Sequence, residues 1–449
     1  MIGILWNLGA FIVALGILVA VHEYGHFWVA RRNGVRVERF SIGFGKPIWR
    51  KAGRDGTEYV VAMIPLGGYV KMLDGRVDEV PAELADQAFD QKSVWARMAI
   101  VVAGPMANFL FAVFAFWLMF MIGVPSVKPV LRDVTAESPA AMAGLQPGMQ
   151  ITAIDGNEVL TWEDVNFALI GRIGAEQLSM QVQDADGRNQ SLTVPLSSWQ
   201  FDPDSESPIS ALGLRPEGAT PTLALEQVLA GGAGEQAGLL PGDTLYSANG
   251  EKLADWDQFV ALVQSSPGIP VELVVQRGGQ SLDLTLTPAL RETDDRAIGY
   301  VGLAPSVTPV DERYRFELSY GPVKALWAGM DRTWELTVLT FNMIGKLLTG
   351  IVSVDNLSGP ISIAKGAGAS AGFGLVYFLS FMALVSVNLG IINLLPLPVL
   401  DGGHLLFYLV EAVTGRPVPE RVQELGFRIG AALLILLMGL ALFNDIGRL

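Results

Sequence analysis

The chain has 449 residues, of which 51% are hydrophobic and only 17% are charged, and its mean hydropathy is +0.39. This composition is typical of a membrane protein, and the length predicts two or more structural parts. The absence of cysteine excludes disulfides and thiolate metal ligands, and the net charge of −14 argues against a nucleic-acid partner.

The first predicted element is a transmembrane helix over residues 1–30, which ends in a cluster of ionisable side chains. His22 and His26 are four residues apart, so on a helix they share one face and can hold one metal ion. Glu23 can then reach a water on that ion, as in H-E-x-x-H zinc hydrolases. Such groups are costly in a membrane, and the third histidine of the chain, His404, also lies near the end of a span. This clustering favours a metal site over a chance pair.

The loop over residues 31–97 is basic, with 12 Lys and Arg against 9 Asp and Glu. By the positive-inside rule this loop is cytoplasmic, and the N-terminus is outside. Residues 57–72 contain two strand-like runs about a Pro-Leu-Gly-Gly turn. A second span is predicted over residues 98–124, which places the segment that follows it outside the cytoplasm.

The insert between the second and third spans is acidic and contains an internal repeat. Residues 128–317 carry 11 Lys and Arg against 27 Asp and Glu, which accounts for the whole net charge. The stretch that begins at Ala143 recurs from Ala237 at a constant offset of 94. Residues 127–220 and 221–310 are therefore predicted to be two copies of one fold.

Both copies resemble PDZ domains in their Ala-Gly-Leu, Pro-Gly and Asp-Gly or Asn-Gly elements. Later in each copy, Gly213-Leu214 and Gly302-Leu303 are similar to the carboxylate-binding loop of a circularly permuted bacterial PDZ domain. This resemblance implies that C-terminal peptides bind there, through backbone N–H groups and an added strand. The alternative is that both domains only shield the membrane site by their size.

The remaining predicted elements are one amphipathic segment and two spans. Residues 318–356 have helical spacing of apolar residues interrupted by charges, which predicts a helix at the membrane interface or against the insert rather than a fifth span. The third and fourth spans cover residues 373–402 and 426–446. Pro396 and Pro398 are expected to break the helix near the end of the third span.

The third metal ligand is expected from another helix that ends on the same side, because a catalytic zinc site has three protein ligands and one open position. Asp401 is the only carboxylate in NLLPLPVLDGGH, the end of the third span. His404 is a rival ligand, and a helix cap is an alternative role for Asp401. A metal transporter and a non-catalytic PDZ scaffold are the competing functions. Against them stand the lack of a repeat among the spans and the presence of Glu23.

HEYGH in the first span and N-x-x-P-x-P-x-L-D-G in the third resemble the paired signatures of site-2 proteases. The order of spans and insert fits this family, as do AGPMAN (residues 103–108) and LSGPISIA (residues 357–364). The resemblance implies a polytopic α-helical membrane protein with four transmembrane helices and an extracytoplasmic tandem of two PDZ domains, each of α+β type.

The resemblance also implies the roles of individual residues. His22, His26 and Asp401 are expected to bind one zinc ion, and Glu23 is expected to activate a water. Asn393 is expected to position the substrate backbone.

The implied function is that of an intramembrane zinc endopeptidase in the bacterial inner membrane. Its substrates would be single-pass membrane proteins such as an anti-sigma factor, after a first cleavage outside, and also remnant signal peptides. The PDZ domains would be periplasmic, and the active site would lie near the cytoplasmic side of the lipid bilayer. Residues 57–72 match a family hairpin that dips towards the active site and could hold substrate as an added strand. An ordinary cytoplasmic hairpin is the alternative.

Overall fold

The computed structural model describes residues 2–77, 79–197, 199, 207–292, 297–350, 352 and 358–447. Parts of five predicted segments lie outside the described residues. They are residue 1 in the first span, 78 in the basic loop, 198 and 200–206 in the first predicted PDZ domain, 293–296 in the second, and 351 and 353–356 in the amphipathic segment, together with 357 in the LSGPISIA motif.

The described chain contains twelve α-helices. In chain order they are α1 (Ile2–Arg32), α2 (Val94–Ile122), α3 (Pro139–Met142), α4 (Trp162–Gly171), α5 (Pro208–Ala211), α6 (Ala233–Gln236), α7 (Trp256–Ser265), α8 (Pro322–Leu348), α9 (Pro360–Phe373), α10 (Leu375–Leu394), α11 (Asp401–Thr414) and α12 (Glu420–Gly447). Short 3-10 helices cover Ala82–Gln87 and Phe89–Gln91. Helices α1, α2, α10 and α12 are long and apolar enough to cross a membrane, and their number agrees with the four predicted spans.

The third predicted span, residues 373–402, is shorter than expected. Helix α10 ends at Leu394, and a new helix, α11, begins at Asp401. The predicted interruption is confirmed, because Pro396 and Pro398 have no N–H to donate to a helical carbonyl. The extension of the span to residue 402 was wrong, and the sequence patterns did not separate α9 and α11 as helices.

The membrane helices pack through small residues. A Cβ atom added to Gly25 of α1 would lie only 2.2 Å from the carbonyl oxygen of Ala103 on α2, so the two backbones touch there. Ala112, Ala115 and Ala383 are fully buried in the cluster between α2 and α10. The spans α1 and α12 leave large apolar side chains exposed, which suits contact with lipid.

The loop after α1 forms a long two-stranded sheet of β1 (Val37–Ala52) and β2 (Glu58–Met72), which are antiparallel. The turn between them lies at residues 53–57, whereas the Pro-Leu-Gly-Gly stretch, residues 65–68, lies within β2. The pairing register reverses across this stretch, because residues 58–61 run parallel to residues 39–42 and residues 68–72 run antiparallel to residues 37–42. The chain therefore turns there, as the sequence predicts. Ser41 of β1 pairs with residues in both halves of β2. The sheet exposes apolar side chains: Phe44, Ile48, Trp49, Met63 and Ile64.

The insert is made of strands and short helices. Its strands are β3 (Val124–Val127), β4 (Leu131–Val134), β5 (Gln150–Ile154), β6 (Asn157–Glu158), β7 (Gln177–Gln183), β8 (Asn189–Pro195), β9 (Leu214–Pro216), β10 (Thr220–Val228), β11 (Thr244–Ala248), β12 (Glu251–Lys252), β13 (Val271–Arg277), β14 (Gln280–Leu286), β15 (Ala289–Glu292), β16 (Ala297–Tyr300), β17 (Leu303–Thr308) and β18 (Arg315–Leu318). Strand β3 pairs with β18, so both ends of the insert meet where α2 ends.

The insert contains two units with separate cores. The first unit has the sheet β6-β5-β7-β8 and the pair β4-β9, and the second has the sheet β14-β13-β11-β10-β17 with β12 beside β11, and the pair β15-β16. The order strand, short strand, helix, strand recurs at the predicted offset of 94, from β5, β6, α4 and β7 to β11, β12, α7 and β13. Asp155 and Asn249, which share this offset, have the same φ of 49°.

Helix α8 confirms the predicted amphipathic helix and is not among the candidate spans. Its buried face packs on α2, where a Cβ atom added to Gly329 would lie 3.0 Å from the oxygen of Val113. Its polar side contacts the first insert unit through ion pairs, because the guanidinium of Arg332 lies 3.2 Å from the carboxylates of both Glu163 and Asp164 of α4. The first unit is therefore attached to the membrane helices through α8.

Candidate metal centre and active site

His22 and His26 lie on one face of α1, near the end of the helix. The two Nε2 atoms are 3.2 Å apart, and the rings meet edge to face with centroids 4.8 Å apart. Both residues and Glu23 are only 9% exposed. The helical spacing of four thus produces the pair that the sequence predicts.

Asp401, the first residue of α11, completes a group of three potential ligands. Its Oδ2 atom lies 3.2 Å from His22 Nε2 and 3.4 Å from His26 Nε2. A tetrahedral zinc ion with bonds of about 2.0–2.1 Å requires ligand atoms about 3.3–3.4 Å apart, the edge length of such a tetrahedron. The three observed separations match this requirement, so the donor set fits zinc in both chemistry and size.

The sharp turn before α11 places Asp401 at the histidines. A Cβ atom added to Gly402 would lie 2.2 Å from the oxygen of Leu395, and one added to Gly403 would lie 2.3 Å from the Cα of Pro398. The chain therefore folds back so tightly that only glycine fits at both positions. As the first residue of a helix, Asp401 also benefits from the positive end of the helix dipole.

Glu23 lies between the metal-binding group and the β-sheet. A Cβ atom added to Gly68 of β2 would come within 2.9 Å of Glu23 Cγ and 2.6 Å of the oxygen of Ser41. The backbone of the sheet therefore packs directly against the side chain of Glu23, and the absence of a side chain at Gly68 makes this close contact possible.

One face of α2 supports the two histidines. Nδ1 of His26 lies 2.8 Å from the carbonyl oxygen of Ile100, and a Cβ atom added to Gly104 would lie 2.2 Å from His26 Nε2. The side-chain amide of Asn108 lies 3.0 Å from Nδ1 of His22. In the sequence, AGPMAN indicates only the family resemblance, and not a contact with the histidines. The available signal was a polar asparagine four residues after a glycine within an apolar span.

A comparison with known families identifies the chain. The sequence profile of peptidase family M50 matches residues 10–437. The chain belongs to this family. It is therefore a zinc metalloprotease of the site-2 type, and neither a metal transporter nor a scaffold without catalysis. Family membership implies zinc, and the group of His22, His26 and Asp401 could hold it.

Relatives of this M50 peptidase match it from end to end. It is 56% identical to a Vibrio cholerae protein whose name describes a zinc metalloprotease, with all of both chains covered. It is 53% identical to the regulator of sigma-E protease RseP of Salmonella typhimurium and 52% identical to that of Escherichia coli K12, again over all of each chain.

Two other predicted site residues lie outside the metal-binding group of the M50 peptidase. Asn393 is in the last turn of α10 and half-buried, and its side chain makes no hydrogen bond to another described residue. The His404 ring is half-buried, and its centroid lies 5.2 Å from that of Phe427. His404 was the rival ligand, and the structure does not bring it into the group.

The predicted peptide-binding loops lie in the insert of the M50 peptidase, at the starts of β9 and β17. Gly213 and Gly302 have positive φ values of 89° and 70°. The N–H of Gly213 donates to the oxygen of Ser210, so this donor is already used within the first unit. Leu214 is buried, whereas Leu303 is half-buried.

Proposed function

We propose that this M50 protease cleaves single-pass membrane proteins at a zinc site formed by His22, His26 and Asp401. The observation that carries the proposal is the match between the three ligand separations and a zinc tetrahedron. Zinc would supply a Lewis acid that makes water a nucleophile near neutral pH. The three residues would occupy three of the four ligand positions and leave the fourth for water or substrate.

Glu23 acts as the general base in this proposal. It follows the first ligand directly, so its carboxylate lies beside the metal-binding group rather than within it. The carboxylate takes the proton of the attacking water and passes it to the leaving amine. His26 lies six residues before Arg32, the last residue of α1, so at 1.5 Å per residue the site is only about 9 Å from the end of the helix, where water can enter.

The sheet of β1 and β2 presents the substrate. A helical substrate segment must unfold locally, because its peptide groups otherwise bond within the helix. Pairing with the sheet beside Gly68 would satisfy those groups in an extended strand and place it next to Glu23. The exposed apolar side chains of this sheet support its contact with lipid. The half-buried Asn393, in the last turn of α10, is proposed to position the substrate backbone.

The two-unit insert lies on the opposite membrane face from the site. Ile100 of α2 contacts His26, and the insert begins after Ile122, which is 22 residues or about 33 Å further along the helix. With the basic loop inside, the site lies near the cytoplasm and the insert lies in the periplasm. We further propose that both units are PDZ domains and that they exclude substrates with large outer domains.

Peptide capture is proposed for the second PDZ unit rather than the first. In the first unit the N–H of Gly213 is already bonded to Ser210. In the second unit the positive φ of Gly302 and the half-buried Leu303 suit a loop that binds a chain-end carboxylate, beside the edge of β17.

The physiological substrates in this proposal are anti-sigma factors already shortened outside the membrane, and remnant signal peptides. The names of the Salmonella and Escherichia relatives, which refer to regulation of sigma-E, support this assignment. The protein would then act in the bacterial inner membrane to activate an envelope stress response.

The test uses the purified full chain and a tagged single-pass substrate without its outer domain. Glu23→Gln is expected to bind zinc but not to cleave, because the amide cannot accept the proton. Glu83→Gln is the matched control and should cleave normally, because Glu83 is exposed and lies in the short 3-10 helix Ala82–Gln87 of the loop after α1. Cleavage by Glu23→Gln at the wild-type rate would refute the mechanism.

A further inference from the structure

Asn108 lies at the meeting point of three membrane helices. It is fully buried (0% exposed) in α2. Its side-chain amide contacts Nδ1 of His22 on α1 at 3.0 Å, and its backbone oxygen accepts a 2.9 Å hydrogen bond from Ser386 Oγ on α10. Ser386 is also fully buried. A buried amide in a membrane helix is costly unless its polar atoms are bonded, so this position calls for an explanation.

The chemistry of a metal-binding histidine fixes the direction of its second hydrogen bond. A neutral imidazole that offers Nε2 to a metal carries its proton on Nδ1 and must donate it. His26 follows this rule, because its Nδ1 lies 2.8 Å from the carbonyl oxygen of Ile100, which can only accept. His22, whose Nε2 also faces Asp401, needs an acceptor at the same place.

The amide of Asn108 can provide that acceptor. With Nδ2 turned towards His22, two N–H groups would face each other, and Oδ1 would be buried without a hydrogen-bond partner among the described residues. A rotation of the amide by 180° brings Oδ1 to Nδ1 of His22 at the same distance. The proton on the imidazole therefore decides between the two orientations.

We propose that Asn108 is a positioning residue of the zinc site, whose side-chain oxygen accepts the Nδ1–H of His22. The bond selects the tautomer with a free Nε2 and fixes the ring against rotation. The backbone bond from Ser386 ties this arrangement to α10, the helix that leads to Asp401. The inference rests on the proposed zinc site, because only metal binding by Nε2 requires the proton on Nδ1.

A purely structural role for Asn108 makes a different prediction. If the amide only fills space between helices, leucine, which has the same branched shape and the same number of side-chain heavy atoms, should serve equally well. If it accepts a hydrogen bond, leucine should fail and aspartate should succeed, because both forms of a carboxyl group keep an acceptor oxygen. Asn388 of α10 is a matched control, because its amide oxygen also accepts a hydrogen bond from a neighbouring helix, from Thr340 of α8 at 2.9 Å. It makes no hydrogen bond to a histidine among the described residues.

The experiment measures the zinc dissociation constant of purified full-length protein by competition with a chelator. Asn108→Leu is expected to weaken zinc binding about 10- to 100-fold, the usual effect of losing such a partner. Asn108→Asp should stay near wild type, and Asn388→Leu should leave affinity unchanged. Asn108→Ala provides the same comparison if the leucine variant does not fold, and a melting curve of the zinc-free protein shows whether each variant is folded.

Each outcome decides a separate question. Wild-type affinity in folded Asn108→Leu or Asn108→Ala would overturn the inference and leave the proposed function intact. Equal weakening in Asn108→Asp would show that an acceptor oxygen at this position does not restore zinc binding, and it would also overturn the inference. Failure of the wild-type protein to bind zinc would instead refute the proposed function.

Discussion

Gly104 provides the sharpest mutational test of how the helices form the site. A Cβ atom at this position would lie 2.2 Å from His26 Nε2, 2.5 Å from Cε1 and 2.8 Å from Cδ2. Ordinary non-bonded contacts need about 3.5 Å, so in Gly104→Ala the imidazole must move by about 1 Å or more. Such a movement would break the hydrogen bond between Nδ1 of His26 and the carbonyl oxygen of Ile100.

The expected effect follows from the tolerance of metal sites. Ligand distances are held to within about 0.2 Å, and a misplacement of about 1 Å at an active site costs roughly 100-fold in rate. Gly104→Ala should therefore reduce cleavage by about 100-fold or more, with less than one zinc bound per chain. The assay is cleavage of a tagged membrane substrate, together with zinc analysis of the same sample.

Gly16→Ala in α1 is the control for this prediction. No other group lies within 4 Å of the added atom there, so the variant should keep its activity and gain up to about 1 kcal/mol of helix stability. Normal zinc content and normal cleavage in Gly104→Ala would show that α1 and α2 are not as close at the site as the structure has them.

Three further predictions concern contacts that hold the elements together. Arg97 of α2 donates to both oxygens of Glu411 on α11, at 2.6 and 3.2 Å. Glu411→Gln should cost about 1–3 kcal/mol in a melting experiment and also weaken zinc binding, because α11 carries a ligand; unchanged zinc affinity would contradict that link. In the second insert unit, Arg277 donates to both oxygens of Asp243 at 2.6 and 2.7 Å and thereby lowers the pKa of Asp243. The resulting stability is present above the unfolded pKa of about 3.9 and is lost as the pH falls through the lower folded value. Asp243→Asn should therefore melt earlier at pH 7 but lose less stability in acid, and an acid response equal to wild type would count against this pair. Asp445 of α12 accepts the N–H groups that begin α9, at 2.7 to 3.1 Å. Asp445→Ala should raise amide hydrogen exchange at the start of α9, and unaltered protection would show that the cap is dispensable.

The histidine pair and Asp401 could be predicted because their signals are local. A spacing of four fixes two side chains on one helical face whatever surrounds them. Asp401 stood out as the single carboxylate of a proline-broken stretch. The repeat at an offset of 94 likewise predicted two similar units, since each unit has its own core.

Other features depend on contacts between distant parts of the chain. Asn108 and Gly104 support the histidines only because α2 packs on α1 at that depth, and a single asparagine or glycine does not indicate its partner. The reversal of the chain at the Pro-Leu-Gly-Gly stretch could be predicted from its turn residues, but nothing local in the sequence indicates that Gly68 lies against Ser41 and Glu23.

The zinc content of purified protein tests the central claim most directly. Elemental analysis of wild type, Asp401→Ala and His404→Ala in parallel distinguishes the two candidate third ligands. The site geometry predicts one zinc per chain in wild type and in His404→Ala, and little zinc in Asp401→Ala, because only Asp401 lies 3.2–3.4 Å from both histidine nitrogens. Zinc retained in Asp401→Ala and lost in His404→Ala would contradict the account.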